Sequence, residues 1–473
     1  MTEKSQPSWA RLAAFAGPSV PLAALGLPLV VFLPEYYSND LGLPLQVVGS
    51  AFGLVRLLDI GVDPLLGALM DRTRTPFGRF RPWVVAGAPV LIAAVYMLFM
   101  ASRGVGPVYL WFWLLIAYLG VSMSLLAHVS WASTLSTSYD GRSRTYAWVQ
   151  SYNVVGLIAV LLLPALLSQV LHVGSAGGVH AMGWMTIVLI PLTFVAALSL
   201  VGEPNAPAQV QRVRISDYLA VFKNPTILRL LAVDQIVGLA PNITGTLVFF
   251  YLEQIKHFPK GQAEVLLVGY FLAALAGGPI WLWLAHRAGK HRALAVAAIF
   301  YTVTQSSAMF APVGNALLMG AAMVLAGLPF SAGGLLIRSM LADAADEERL
   351  ATGADRTGLL YSLSSANGKI GSAAAVLVSF WVLHAIGFQP GSAHNSPQAL
   401  IGLQLLFAVI PGLLGLAGAM LIRGYPLTAA RHAEVRAQLA ERERAAAIPL
   451  PSEEGDREAV DGASPIHRPI VVR

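Results

Sequence analysis

Asp59 and Asp63 lie four residues apart in an otherwise apolar stretch, "VRLLDIGVDPLLGALM", with Arg56 one turn before them. On a helix, positions i and i+4 share a face with their Cβ atoms about 6 Å apart. Two carboxylates that close in a low dielectric cannot both stay ionised unless a cation sits between them. That is the requirement for a site that takes up and releases H⁺ or Na⁺. Lys369, in "SSANGKIGSAAA", is the cation that could face them from another apolar stretch and compete with a transported ion. The plain alternative is a static charge network of Arg56, Asp59, Asp63 and Lys369 that fixes two helices together.

The elements that must carry these groups are membrane-spanning helices. The chain has 473 residues, of which 56% are hydrophobic and only 12% charged, with a mean hydropathy of +0.65. Average soluble proteins carry about 25% charged residues. Apolar runs long enough for a hydrocarbon core about 30 Å thick recur along the chain. They are continuous rather than alternating, which argues against a β-barrel. Twelve spans are expected, near 13–37, 47–70, 82–102, 108–138, 146–171 and 181–202, then 226–254, 262–285, 292–312, 314–343, 357–387 and 398–423. This gives an all-α polytopic membrane protein: a six-helix half over 1–202, a central loop over 203–225, a second half over 226–424, and a tail over 425–473. The tail reads as a short charged helix followed by a disordered stretch, solvated and separate from the helices. Two six-span halves around a central loop make the shape of a major facilitator, in which the halves rock about a site near the bilayer midplane.

Basic residues fix the expected orientation. Arg72, Arg74, Arg79, Arg81, Arg142, Arg144, Arg212, Arg214, Lys223, Arg287, Lys290, Arg349 and Arg356 follow even-numbered spans, and Lys256 and Lys260 are exceptions. Positive residues favour the cytoplasmic side, so both termini are expected there, in a bacterial inner membrane. The sequence pI of about 9.5 is accounted for by these loops and does not call for a nucleic-acid partner. No cleavable signal sequence is read at the N-terminus. With no cysteine, thiolate chemistry is excluded, and the sequence has neither an H-E-x-x-H nor a G-x-S-x-G motif. An enzyme is therefore not expected, nor a cofactor beyond the transported H⁺ or Na⁺.

Three stretches resemble one family. "LLDIGVDPLLGALMDRTRTPFGRFRPW" and "MLADAADEERLATGADRTGLLYSLSSANGKIGSA" look like two signatures of the glycoside–pentoside–hexuronide:cation symporters, the major-facilitator family that includes melibiose permease. "SWASTLSTSYDGRSRT" resembles that family's junction of spans 4 and 5. The resemblance implies a cation site at Asp59 and Asp63, with Lys369 near it and Ser124 offering a hydroxyl. It places Trp131 beside a sugar. Asp71, Arg72, Arg74, Gly78, Arg79, Arg81, Arg142 and Arg144 would form gating loops, with Asp343, Asp346 and Arg356 in an acidic loop before span 11.

The chain also departs from the family. Val62 replaces an asparagine beside the second acid, which tilts the expectation toward H⁺. No charge lies between Arg11 and Glu35, where the permease places a sugar-binding acid, and its second such acid falls on Ala127, beside His128. The polar residues left to line a cavity are Trp131, His128, Gln150, Tyr152, Asn153, Asp234, Asn242 and Tyr361, with Ser122 and others. Such a site could hold a sugar through neutral hydrogen bonds; the alternative is a lysophospholipid-like amphiphile. The expected protein is a monomeric, cation-coupled carrier of a small organic solute working by alternating access.

Overall fold

A computed structural model describes residues 8–135, 139–170, 175–203, 223–353, 356–392 and 394–447; the side chains of residues 71, 133, 139–143, 175, 443 and 445–447 lie outside the described set. Twelve helices are long and apolar enough to cross a membrane: Trp9–Asp40, Leu45–Met70, Arg81–Phe99, Pro107–Ala132, Arg144–Val170, Ala176–Leu200, Pro225–Gln254, Lys260–Ala288, Lys290–Phe310, Ala316–Thr352, Thr357–Ala385 and Pro397–Ile422. They are called spans 1 to 12 below. Large apolar side chains such as Leu192, Val195 and Leu413 are exposed on the outside of the bundle. In water that would be costly; against lipid tails it is the expected surface. The chain is an integral membrane protein.

Span 10 differs from expectation. Pro329 splits it into helices Ala316–Gly327 and Phe330–Thr352, and the second continues nine residues past the expected end at 343. Asp343 and Asp346 therefore stand on a helix, not in a loop. The stretch "ADAADEERLA" is made largely of helix formers and needs no membrane to stay helical. Gly353, at φ +75°, ends it in the left-handed conformation that glycine adopts without steric cost.

The terminal helix Ala429–Ala447 packs against this extension. Val435 and Leu439 are buried, His432 Nε2 lies 3.1 Å from Asp346 Oδ2, and Arg436 lies 3.7 Å from the same oxygen. The expected separate, solvated tail is corrected to this extent. A basic helix with apolar positions four apart has a stripe to bury and an acidic helix to bury it on. Residues 448–473 lie outside the described residues, as do 204–222 of the central loop.

Two apolar cores organise the bundle. One joins both halves on the face opposite the central loop, with Phe32, Tyr37 and Phe52 from the first half clustered with Phe249, Phe250 and Phe380 from the second. The other lies on the central-loop face within spans 7 to 12, around Leu230, Leu294, Leu336 and Leu360. The halves are thus packed together at the opposite face.

Candidate functional site

Spans 2 and 11 run antiparallel and approach closely because span 2 carries glycines at the contact. A Cβ at Gly49 would come within 2.7 Å of Phe380 Cβ, and one at Gly53 within 2.7 Å of Leu377 Cβ. Continuing that register toward the central-loop face sets Lys369 against Asp59 and Asp63. Lys369 Nζ donates to Asp59 Oδ2 at 2.7 Å and also to Asp63 Oδ2. Asp59 is buried and Asp63 partly open. One ammonium therefore bridges the two carboxylates across the two halves.

Three neighbours complete the site. Ser122 Oγ on span 4 donates to Asp59 Oδ1 at 2.7 Å. Asp63 Oδ1 is buried and has no hydrogen-bond partner among the described residues. Arg56 sits with its guanidinium 5.1 Å from the ring centre of Tyr118, where a cation is attracted by the ring face. Pro64, immediately after Asp63, has no N–H to donate to the carbonyl of Ile60, so the helix is weakened beside the pair. Gly61 borders open space, since a Cβ there would meet nothing within 4 Å.

The expected hydroxyl, Ser124, is not the one beside Asp59. Its Oγ is buried with no hydrogen-bond partner among the described residues and packs against Gly87 of span 3, 2.6 Å from where a Cβ there would stand. Ser122 and Ser124 are two residues apart and so point to different sides of span 4. Ser122 was legible only as one hydroxyl among several.

The expected cavity residues separate into groups. Trp131 and His128 are buried inside the first half and do not face open space. His128 Nε2 is 2.8 Å from the Phe15 carbonyl oxygen, and both rings pack on Phe15, at 4.6 Å and 5.1 Å between centroids. On span 5, Gln150 is exposed, while Tyr152 and Asn153 are half-buried, with Tyr152 against Trp148. Tyr361 donates to the Arg338 carbonyl oxygen at 3.2 Å. Asp234 and Asn242 line a cavity of about 280 Å³ between spans 7, 9 and 10. Asp234 Oδ2 accepts from Ser364 Oγ at 2.9 Å and Asn367 Nδ2 at 3.2 Å.

On the central-loop face, beyond the Lys369 pair, several contacts tie residues of the same half together. The backbone N–H groups of Arg79, Phe80 and Arg81 converge on the Glu203 carboxylate at 2.8–3.1 Å. Gly78 has φ +112°, and a Cβ there would come within 2.2 Å of Glu203 Oε2, so only glycine fits this cradle. Arg81 also donates to the Leu198 carbonyl. Glu203 was missed in the sequence because a single acid at the start of a loop carries no pattern. Arg72 and Arg74 are exposed, and Arg144 lies over the Trp9 ring. The Asp71 and Arg142 side chains lie outside the described residues. In the second half, Lys290 pairs with Asp343 at 2.6 Å and Arg356 with Glu348 at 2.7 Å. Asn224, which caps span 7 through its side-chain oxygen, also donates to Glu348 at 2.8 Å.

On the opposite face the pairs cross between halves. Lys260 Nζ, at the start of span 8, lies 2.6 Å from Glu35 Oε2 and 3.1 Å from Asp40 Oδ2 of span 1. In the sequence Lys260 stands out only as an exception to the charge bias and Glu35 only as the end of an uncharged stretch, because charges at span ends look like boundary residues.

Residues 14–429 match the family described as MFS/sugar transport protein. The chain belongs to that family. Its members are membrane transporters rather than enzymes. Among its relatives, the isoprimeverose transporter of Lactiplantibacillus pentosus is 23% identical over 398 residues, covering 80% of this chain and 81% of the relative. The raffinose carrier protein of Pediococcus pentosaceus is 24% identical over 409 residues, covering 82% and 63%. The inner membrane symporter YicJ of Escherichia coli K12 is 21% identical over 438 residues, covering 88% and 91%. The crystal structure of the nucleoside transporter NupG superposes with a TM-score of 0.66 at 13% identity, over 88% of this chain and 100% of that one. At that identity the likeness supports the major facilitator fold alone.

Proposed function

We propose that this family member is a cation-coupled symporter of a sugar or glycoside, and that Asp59, Asp63 and Lys369 form its coupling site. The observation that carries the reading is the Lys369 ammonium held between the two carboxylates. A positive charge already occupies the place where a transported cation would be stabilised, so this arrangement corresponds to the released state. When the halves separate at the opposite face, spans 2 and 11 part and Lys369 withdraws. The two acids, one turn apart in a low dielectric, then require H⁺ or Na⁺. Return of Lys369 displaces that ion. Among the described residues, Ser122 is the one hydroxyl hydrogen-bonded to the pair, and Val62 supplies no oxygen, which favours H⁺.

The positive-inside rule places the central-loop face, both termini and the arginines around Gly78 in the cytoplasm of a bacterial inner membrane. The Lys260 latch then closes the outer side, and the form described is inward-facing. Both halves and the whole coupling site belong to one chain, so a monomer suffices. The relatives named for sugars and glycosides favour such a solute over a lysophospholipid.

The test is reconstitution of the purified chain in liposomes, following internal pH and Na⁺ while a panel of glycosides and lysolipids is presented. Solute-dependent acidification that disappears in both Asp59→Asn and Asp63→Asn is expected. Unchanged coupled flux in both variants would show that the pair is structural.

A further inference from the structure

The cavity between spans 7, 9 and 10 has a layout that the coupling site does not use. Along span 7, Asp234, Gly238 and Asn242 recur every fourth residue and so share one helix face; along span 10, Phe330, Gly334 and Arg338 do the same. The spans are antiparallel, and Asp234, Gly238, Asn242, Phe330 and Gly334 all line the cavity. The two rows set the acid toward the Arg338 end and the glycines in the middle. Gly238 and Gly334 face open space: a Cβ at either would meet nothing within 4 Å. They are not close-packing glycines; they leave room.

The walls divide by polarity. Deeper in, Leu294, Ala297, Ala298 and Ile337 make an apolar surface, and the Tyr301 hydroxyl there is already paired with Thr244 Oγ1 at 3.0 Å. Charge is concentrated at one end, with the Asn242 amide toward the other. Asp234 spends only Oδ2 on Ser364 and Asn367 and accepts nothing at Oδ1 from the described residues. Arg338 is exposed and lies within electrostatic range of Asp234. A carboxylate oxygen at the cavity, with a guanidinium within electrostatic range at the same end, suits the hydroxyls of a sugar ring, one accepting and one donating. An apolar cavity of about 150 Å³ is enough to take benzene; this one, at about 280 Å³, has room for more than one such ring.

Resting on the symporter reading above, we propose that this cavity is an aglycone site. The solute is a glycoside bearing an apolar aryl or alkyl group, which enters between spans 7, 9 and 10 while the sugar hydroxyls face Asp234 and Arg338. The first half, with Trp131 and His128 buried against Phe15, leaves the selective contacts to the second.

The experiment measures uptake and competition in liposomes containing the full chain, for one sugar presented free and as its methyl, propyl, butyl and phenyl glycosides. Apparent affinity is expected to rise about fourfold per added methylene until the cavity is filled, the ratio that ~0.8 kcal/mol per buried CH₂ produces. Gly334→Leu, which puts a side chain into the open space, is expected to flatten that rise; Gly334→Ala retains most of it and controls for folding. Equal affinity for methyl, butyl and phenyl glycosides, with cation-coupled uptake intact, overturns the aglycone site and leaves the symporter standing. Uptake of no glycoside at all, or cation flux driven only by lysolipids, overturns both.

Discussion

Lys260 on span 8 reaches both Glu35 and Asp40 on span 1, at 2.6 Å and 3.1 Å, because span 1 is not a regular α-helix there. Five residues of α-helix turn a side chain through about 500°, leaving positions i and i+5 on different faces. Span 1 instead opens into a wide π-type turn over Tyr36–Asp40, which stacks the two acids on one side. π-type turns often mark functional positions. Here the turn gives one lysine two carboxylates, and Asn39 Nδ2 adds a hydrogen bond to Glu35 Oε1 at 2.9 Å. The result is a cross-half latch on the face opposite the central loop.

Removing Lys260 leaves Glu35, which is 1% exposed, as a buried carboxylate without its counter-charge, held only by the Asn39 amide. Breaking a buried pair in this way typically costs about 3–5 kcal/mol, and the cost falls only on the closed form. Lys260→Ala is therefore expected to shift the chain toward opening at this face. Since the sequence has no cysteine, a thiol introduced at Val31, which packs on Gly245 of span 7, would be the sole label site. Faster maleimide reaction at Val31→Cys in the Lys260→Ala background is the expected result. An unchanged rate would show that the latch does not hold the halves together.

The coupling site offers a second prediction with a distinctive split. If Lys369 expels the cation from Asp59 and Asp63, Lys369→Met should retain solute exchange across the membrane, which needs no cation release. Net coupled uptake, which does, should fall by about tenfold or more, equivalent to about 1.4 kcal/mol. Counterflow and gradient-driven uptake measured on the same liposomes separate the two. Equal loss of both would make Lys369 a structural tether instead.

What the sequence carried, and what it did not, follows from where free energy is concentrated. Spans were legible because hydrocarbon thickness imposes long apolar runs, and span 10 overran its expected end because a polar helix can continue outside the bilayer. Asp59, Asp63 and Lys369 stood out because charges within apolar runs are costly. The register that brings them together was hidden in Gly49 and Gly53, two glycines among 44, whose importance depends on what Leu377 and Phe380 do opposite them. Glu203 and Lys260 were obscured for the converse reason: near span ends a charge costs little, so its presence says nothing about a partner far along the chain. Trp131 was placed beside a sugar by the family resemblance and His128 was expected to line a cavity as a remaining polar residue, but Phe15, in the uncharged part of span 1 between Arg11 and Glu35, packs over both.

The span 2–span 11 contact predicts its own sensitivity. Gly53→Val would place a branched side chain where even a Cβ comes within 2.7 Å of Leu377 Cβ and 3.1 Å of the Ala373 carbonyl oxygen. Overpacking of a tight core contact costs about 1–3 kcal/mol, and here it would also push Lys369 away from the acids. A lower melting temperature in detergent and weaker coupled uptake are expected together. Gly61→Ala on the same helix, facing open space, should change the melting temperature far less. Similar losses at both positions would remove the packing argument.

The terminal helix allows a final test. Val435 is fully buried and Leu439 nearly so against the acidic extension of span 10, and Arg442 donates to the Leu350 carbonyl oxygen at 2.6 Å. Val435→Asp would bury an unpaired carboxylate beside Asp343 and Asp346, where desolvation and like-charge repulsion act in the same direction. The helix should detach and fray, opening the backbone at Arg436 and Arg442, whose side chains are already exposed, to trypsin. Cleavage there at least about tenfold faster than in the parent chain is expected, with the transmembrane part left intact. Because the charged contacts, His432 and Arg436 with Asp346, are partly exposed, raising salt alone should loosen the helix only weakly. Strong release by salt in the parent chain would instead show that charge, and not the buried Val435 and Leu439, holds the helix in place.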